Sequence, residues 1–124
     1  MSLEKPIGPE AILEKKKKYI MPCLAHFYKE PRQFVKGEMQ YLFDSEGRKY
    51  LDCFAGVSVI NCGHCNPEIN AEVVKQVQSL QHVCNTYLTE NFVNLAEKLA
   101  EVTPGDLQKT FFCSTGTEAN EGAL

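Results

Sequence analysis

The chain has 124 residues, 44% hydrophobic and 23% charged, which is the composition of a folded domain and excludes a disordered or membrane-embedded chain. Its formal net charge of −3 excludes a duplex-reading surface, because such a surface needs a clustered Lys/Arg excess. No stretch approaches the roughly 18 apolar residues of a membrane helix, so neither nucleic acid nor membrane is expected as a partner.

Residues 1–18 carry Ile7, Ala11 and Ile12 at helical spacing, with Pro6 and Pro9 where a helix can begin. An arm or leading helix is expected. The run Lys15-Lys16-Lys17-Lys18, flanked by Glu10 and Glu14, reads as the solvated face of that helix. The same stretch has neither an apolar signal core nor an acid-poor, Arg-rich leader, and a cytoplasmic location is the expectation. Residues 19–34 mix apolar and polar side chains without a period and are interrupted by Pro22 and Pro31, which predicts an irregular extended segment.

Residues 39–44 and 48–53 are β-rich and are joined by Asp44-Ser45-Glu46-Gly47, a turn with Asp at its start and Gly where a positive φ is expected. This predicts a hairpin. Residues 54–65 are apolar, small and punctuated by Gly, the profile of a loop that faces a site. Within it, Cys62-Gly63-His64-Cys65 has the spacing that opens some zinc sites, but a second ligand pair is missing and no metal is expected. The six cysteines read as free thiols.

Asn66-Pro67-Glu68 is a strong helix start: a capping Asn, Pro at the first helical position, and an acid against the helix dipole. Ile69, Val73, Val77 and Leu80 mark a stripe expected to be buried. A second amphipathic helix is predicted from Thr89-Glu90, with Phe92, Leu95, Ala96, Leu99 and Val102 inward, ending at Thr103-Pro104-Gly105.

Residues 110–121 read as a buried strand, a polar Gly-containing turn and the first turn of a helix. That is the form of a phosphate cradle: a helix N-terminus carries partial positive charge, Gly116 lets the backbone approach an anion, and Thr117 offers a hydroxyl and an N–H. Glu118 and Glu121 read as acids near that N-terminus. With only a turn or so of helix before Leu124, the chain reads as the opening piece of a longer enzyme.

Four blocks of this sequence, in order, resemble the class III pyridoxal-phosphate-dependent aminotransferases of fold type I. They are the ribbon from Gly37 to Asp52; Ala55-Gly56-Val57 with Gly63-His64-Cys65-Asn66-Pro67; Leu95-Ala96-Glu97-Lys98-Leu99; and Ser114-Thr115-Gly116-Thr117-Glu118-Ala119-Asn120-Glu121. The last departs from the family's usual Asn-Ser before the Gly-Thr pair, having Ser114 and Thr115 there. The resemblance covers roughly residues 20–124 and implies an α/β fold divided as an arm (1–34), the first part of a small domain (35–105) and the start of a cofactor-binding large domain (106–124).

It further implies pyridoxal 5'-phosphate as cofactor, bound at its phosphate by Gly116 and Thr117, and a substrate pocket touched by Val57. His64 reads as a hydrogen-bonded residue anchoring the loop to the helix start. The Schiff-base lysine and the aspartate paired with the ring nitrogen are expected downstream of Leu124, because none of Lys49, Lys75, Lys98 or Lys109 has the family's context; no catalytic residue is assigned here. The implied activity is transfer of an amino group between an amino donor and a 2-oxo acid in a homodimer or higher homo-oligomer, and the loop motifs look closest to the alanine–glyoxylate type 2 and ω-amino-acid branch. A lyase, mutase or decarboxylase of the same family, or an inactive truncated fragment, are the alternatives.

Overall fold

The computed structural model describes residues 5–124, in the order α1 (Pro9–Tyr19), β1 (Phe34–Glu38), β2 (Tyr41–Asp44), β3 (Lys49–Leu51), α2 (Ala55–Ser58), α3 (Pro67–Ser79), α4 (Glu90–Val102) and α5 (Gly116–Ala123). The first four residues of the expected arm lie outside the described residues. Contacts group the chain into two compact units, one ending at Ser79 and the other running Leu80–Leu124.

In the first unit, α1 begins with Pro9 at its first position and ends with Lys16, Lys17 and Lys18 against the negative end of the helix dipole. No helix or strand forms between Tyr19 and Phe34, in keeping with Pro22 and Pro31. The expected hairpin is present as β2 and β3, paired antiparallel with Tyr41 opposite Leu51 and Phe43 opposite Lys49. Its Asp44-to-Gly47 turn closes through the Gly47 N–H on the Asp44 carbonyl at 3.0 Å, with Gly47 at φ 82°.

The sheet has a third strand that the sequence reading did not assign. β1 pairs antiparallel with β2, Glu38 opposite Tyr41 and Gly37 opposite Leu42, so Met39 and Gln40 are the tight turn between strands and not the start of one. Charged side chains and an interior Gly in Phe34-Val35-Lys36-Gly37-Glu38 hide the strand locally; its ladder partner decides it.

The turn end of the sheet is held by a buried acid. Asp44 is the one buried residue among those described, at 4% exposure. Its Oδ1 accepts the backbone N–H groups of Glu46 and Arg48, both at 2.9 Å, and its Oδ2 accepts the Tyr50 hydroxyl at 2.7 Å. Phe34 meets Tyr50 edge to face with ring centres 5.4 Å apart.

α3 starts as its sequence predicts, with Asn66 Oδ1 accepting the Glu68 N–H at 3.0 Å. The stripe Ile69, Val73, Val77 and Leu80, expected to be buried, is instead 42–54% exposed. The periodicity that predicts an apolar face is real, but its burial needs a surface to cover it, and no described apolar residue of this chain is fully buried.

In the second unit, α4 runs from Glu90 and ends at Thr103, whose hydroxyl donates to the Leu99 carbonyl at 2.6 Å. Phe92 and Leu95 on its expected inner face are about half exposed. The buried strand expected at residues 110–112 is absent among the described residues: the segment has no ladder partner, and Phe111 is 86% exposed. Phe112 packs on Phe92, ring centres 4.8 Å apart. Then α5 begins at Gly116, where the Gly-containing turn leads into the helix as expected.

Candidate functional site

The loop that carries Val57 leaves β3 through Asp52. Asp52 donates its N–H to the Gln40 carbonyl at 2.9 Å, continuing the sheet, while its Oδ1 accepts the N–H groups of Phe54 and Ala55, both at 2.9 Å. The chain then turns with the wrong hand. Ala55, Gly56, Val57 and Ser58 all have positive φ, of 48°, 59°, 64° and 62°, so α2 is one left-handed turn. For residues other than Gly that handedness costs roughly 1–2 kcal/mol each, because Cβ crowds the following carbonyl. A β-branched residue such as Val57 is the least suited of all. Backbone bonds from Ser58 to the Phe54 carbonyl, and from Val59 and Ile60 to the Ala55 carbonyl, close the turn.

The return of the loop is fixed by His64. Its backbone exchanges two hydrogen bonds of 2.7 Å with Met39 in the β1–β2 turn. Its Nε2 lies 2.6 Å from Asp52 Oδ2; an ionised carboxylate only accepts, so Nε2 carries the proton. The His64 hydrogen bond, followed by the N–H groups of Ala55 and Phe54, holds the Asp52 carboxyl below the ordinary range against the opposing effect of burial. A Cβ on Gly37 would sit 2.7 Å from the His64 Cβ, so β1 needs glycine at that point for the imidazole to approach. His64 therefore anchors the loop to the sheet rather than to the helix start that its place in the sequence suggested. The space between loop and sheet is a cleft of about 300 Å³, bordered by Gln40, Asp52, Ile60 and His64 among others. Val57 stands outside it, 71% exposed.

The second candidate element is the start of α5. The Thr115 Oγ1 accepts the Glu118 N–H at 3.2 Å, and Glu118 Oε2 accepts the N–H groups of Ser114 at 2.9 Å and Thr115 at 3.0 Å. This is a capping box, absent from the sequence expectations although the Thr-x-x-Glu spacing signals it. It has a selective effect on the donors a helix leaves open. Ser114, Thr115 and Glu118 are satisfied internally, whereas the N–H groups of Gly116 and Thr117 and the Thr117 hydroxyl meet no acceptor among the described residues. Two adjacent N–H groups and a hydroxyl at the positive end of a helix fit a phosphate.

Gly116 needs no special backbone conformation at the helix start. Its φ is not positive and nothing lies within 4 Å of where a Cβ would stand, so the backbone itself would accept a side chain. What glycine leaves there is open space at the helix start.

The cysteines, all unpaired, are exposed. Among the described residues no group of three metal-binding side chains gathers, and no helix is long and apolar enough to cross a membrane.

The aminotransferase class-III family model matches residues 25–124. The chain is 48% identical over 119 residues to alanine–glyoxylate aminotransferase 2 homolog 2, mitochondrial, of Arabidopsis thaliana, covering 94% of this chain and 25% of that protein. Among solved structures it is similar to a phospholyase from Arthrobacter in complex with phosphoethanolamine, at a TM-score of 0.81 and 31% identity, over 90% of this chain and 26% of that one. It is also similar to the taurine:2-oxoglutarate aminotransferase of Bifidobacterium kashiwanohense in complex with PLP and glutamate, at a TM-score of 0.81 and 25% identity, over 95% and 27% of the two chains. The chain spans about a quarter of the length of the curated relatives it matches.

Proposed function

The chain belongs to the class-III aminotransferase family, and on that footing we propose that it contributes the phosphate-binding turn and a substrate loop to an enzyme that moves an amino group between an amino donor, such as alanine or an ω-amino acid, and a 2-oxo acid. The cofactor of that enzyme is pyridoxal 5'-phosphate. When bound, it supplies an electrophilic carbonyl and an electron-withdrawing ring for chemistry at the amino-bearing carbon.

The observation that carries this reading is the pair of unclaimed N–H groups at Gly116 and Thr117, set side by side by the Thr115–Glu118 capping box. These two residues hold the cofactor phosphate, with the Thr117 hydroxyl as a third donor. Val57 offers the substrate a small apolar wall and no charge. A homodimer or higher homo-oligomer belongs to the same proposal, supported by the exposed apolar stripes on α3 and α4, surface of a kind that folded proteins cover. The test is titration of the full-length protein with pyridoxal phosphate, comparing the parent with Thr117→Ala. Equal affinity would overturn the assignment of this turn.

A lyase of the same family is a second reading, favoured by the likeness to the Arthrobacter phospholyase. The two separate cleanly in one assay: a transaminase consumes more than one equivalent of amino donor per site only when a 2-oxo acid is supplied, and a lyase turns over without one.

A further inference from the structure

We propose that Asp52 and His64 act as a positioning pair that locks the left-handed turn Ala55–Ser58 and so fixes where Val57 meets the substrate. The inference rests on Val57 being a substrate contact, as read above, and goes beyond it by naming what holds that contact in place.

The turn is closed by its own backbone bonds but runs against the preference of its residues. Ala55, Val57 and Ser58 have Cβ atoms that disfavour positive φ, and all four residues wind the same way. Such a conformation persists only where its surroundings over-determine it. Here the surroundings are identifiable. One Asp52 oxygen takes the N–H groups of Phe54 and Ala55, fixing the first peptide units of the turn. The other oxygen takes His64 Nε2, and His64 is itself tied through its backbone to Met39. The two ends of the loop are thus joined across twelve residues by one carboxylate and one imidazole. The Asp52 side chain is 8% exposed and that of His64 20%, so water competes poorly for this link. Both atoms of the carboxylate are used, which distinguishes a bracket from a casual surface pair.

Loss of the link leaves the turn free to relax to right-handed φ, and the Val57 side chain then leaves its position, while Gly116 and Thr117 are themselves unaltered by the substitution. Loss of one small apolar contact to the substrate costs roughly 10- to 200-fold, and partial relaxation correspondingly less. The experiment uses the full-length holoenzyme and the variants His64→Ala, His64→Gln, Asp52→Ala and the double His64→Ala/Asp52→Ala, with KM and kcat for the amino substrate and a separate titration with pyridoxal phosphate.

The expected result is a KM raised about 10- to 100-fold in both alanine variants, kcat at saturation and cofactor affinity largely kept, and recovery of most of the loss by His64→Gln, which retains an N–H donor. The double variant is expected to be no worse than Asp52→Ala alone, because that substitution already removes the link to His64 together with the bonds to Phe54 and Ala55. An unchanged KM in His64→Ala, a parallel fall in cofactor affinity, or no recovery by His64→Gln would overturn the proposal. Should Asp52→Ala fail to fold, the comparison of His64→Ala with His64→Gln decides alone. Val57→Ala and Val57→Leu distinguish the underlying reading: if they leave KM unchanged, Val57 is no contact and both fail; if they shift KM while His64→Ala does not, only the positioning pair fails.

Discussion

The Glu118 carboxylate takes the Thr115 N–H at 3.0 Å while the Thr115 hydroxyl takes the Glu118 N–H at 3.2 Å, a reciprocal pair that both starts α5 and decides which donors remain open. Replacing Thr115 by Ala in the full-length protein removes the cap acceptor and orphans the Glu118 N–H. The expected cost is about 0.5–2 kcal/mol of stability. Glu118→Gln, which keeps one acceptor oxygen, is expected to cost less. Denaturant unfolding midpoints of the parent and the two variants check the order; an unshifted midpoint in Thr115→Ala would remove the capping box from the account.

Two carboxylates predict how acid acts on the first unit. Burial alone would raise the Asp44 carboxyl, yet the Tyr50 hydroxyl, the N–H groups of Arg48 and Glu46 and the Arg48 charge together bring it below its ordinary value. Asp52 is lowered by His64 and by the N–H groups of Ala55 and Phe54. A depressed folded-state pKa means the stabilisation is present above the unfolded value of about 3.9 and is lost as pH falls through the folded value. Stability is therefore expected to fall on acidification below about pH 4, and less steeply in Asp44→Asn, which has no carboxylate to protonate. Unfolding midpoints of the full-length protein measured between about pH 6 and pH 2 report the slope; identical slopes in parent and variant would show that Asp44 does not carry it.

What the sequence discloses is what short-range chemistry decides. Asn66-Pro67-Glu68 names the start of α3 because cap, proline and acid act within one turn, and Asp44 with Gly47 names the hairpin turn for the same reason. β1 escaped because Lys36, Gly37 and Glu38 become a strand only through pairing with β2. The 110–112 segment shows the converse: its β-rich residues predict a strand that, lacking a neighbour, does not form. In the candidate site, Gly116 and Thr117 are legible from the turn's composition. The Asp52–His64 link is not, since nothing in either residue's local sequence names a partner twelve positions away. The left-handed turn at Val57 runs against the residue's own preference, so no propensity argument could find it.

The 124-residue chain on its own is predicted to self-associate and to melt without a sharp cooperative transition. No described apolar side chain is fully buried, and Ile69, Val73, Phe92 and Leu95 present half-exposed faces to water. Hydrophobic burial is the main favourable term in folding, and here it is largely uncollected. It is also expected to show no transaminase activity, because no lysine in it is assigned the bond to the cofactor. Size-exclusion chromatography and differential scanning calorimetry test the first expectation: a monomer with a single sharp transition would contradict it. Turnover dependent on pyridoxal phosphate would contradict the second.

The phosphate turn is tested most directly by two substitutions that act through different physics. Thr117→Ala removes a hydroxyl that has no partner among the described residues and leaves the backbone N–H groups and the capping box in place. A hydrogen bond to a charged group is worth roughly 1.5–3 kcal/mol, so the dissociation constant for pyridoxal phosphate in the full-length protein is expected to rise about 10- to 150-fold. Turnover at saturating cofactor is expected to fall far less. Gly116→Val asks a different question. The backbone there is not in the left-handed region and the space over it is open, so the variant is expected to fold with its unfolding midpoint little changed. If a phosphate occupies that space, two methyl groups displace it, and cofactor affinity is expected to drop further than in Thr117→Ala. Absorbance or fluorescence titration of parent and variants reads both effects. A Gly116→Val protein that folds and binds pyridoxal phosphate as tightly as the parent would place the phosphate elsewhere, and the paired N–H groups of Gly116 and Thr117 would then be an ordinary helix start.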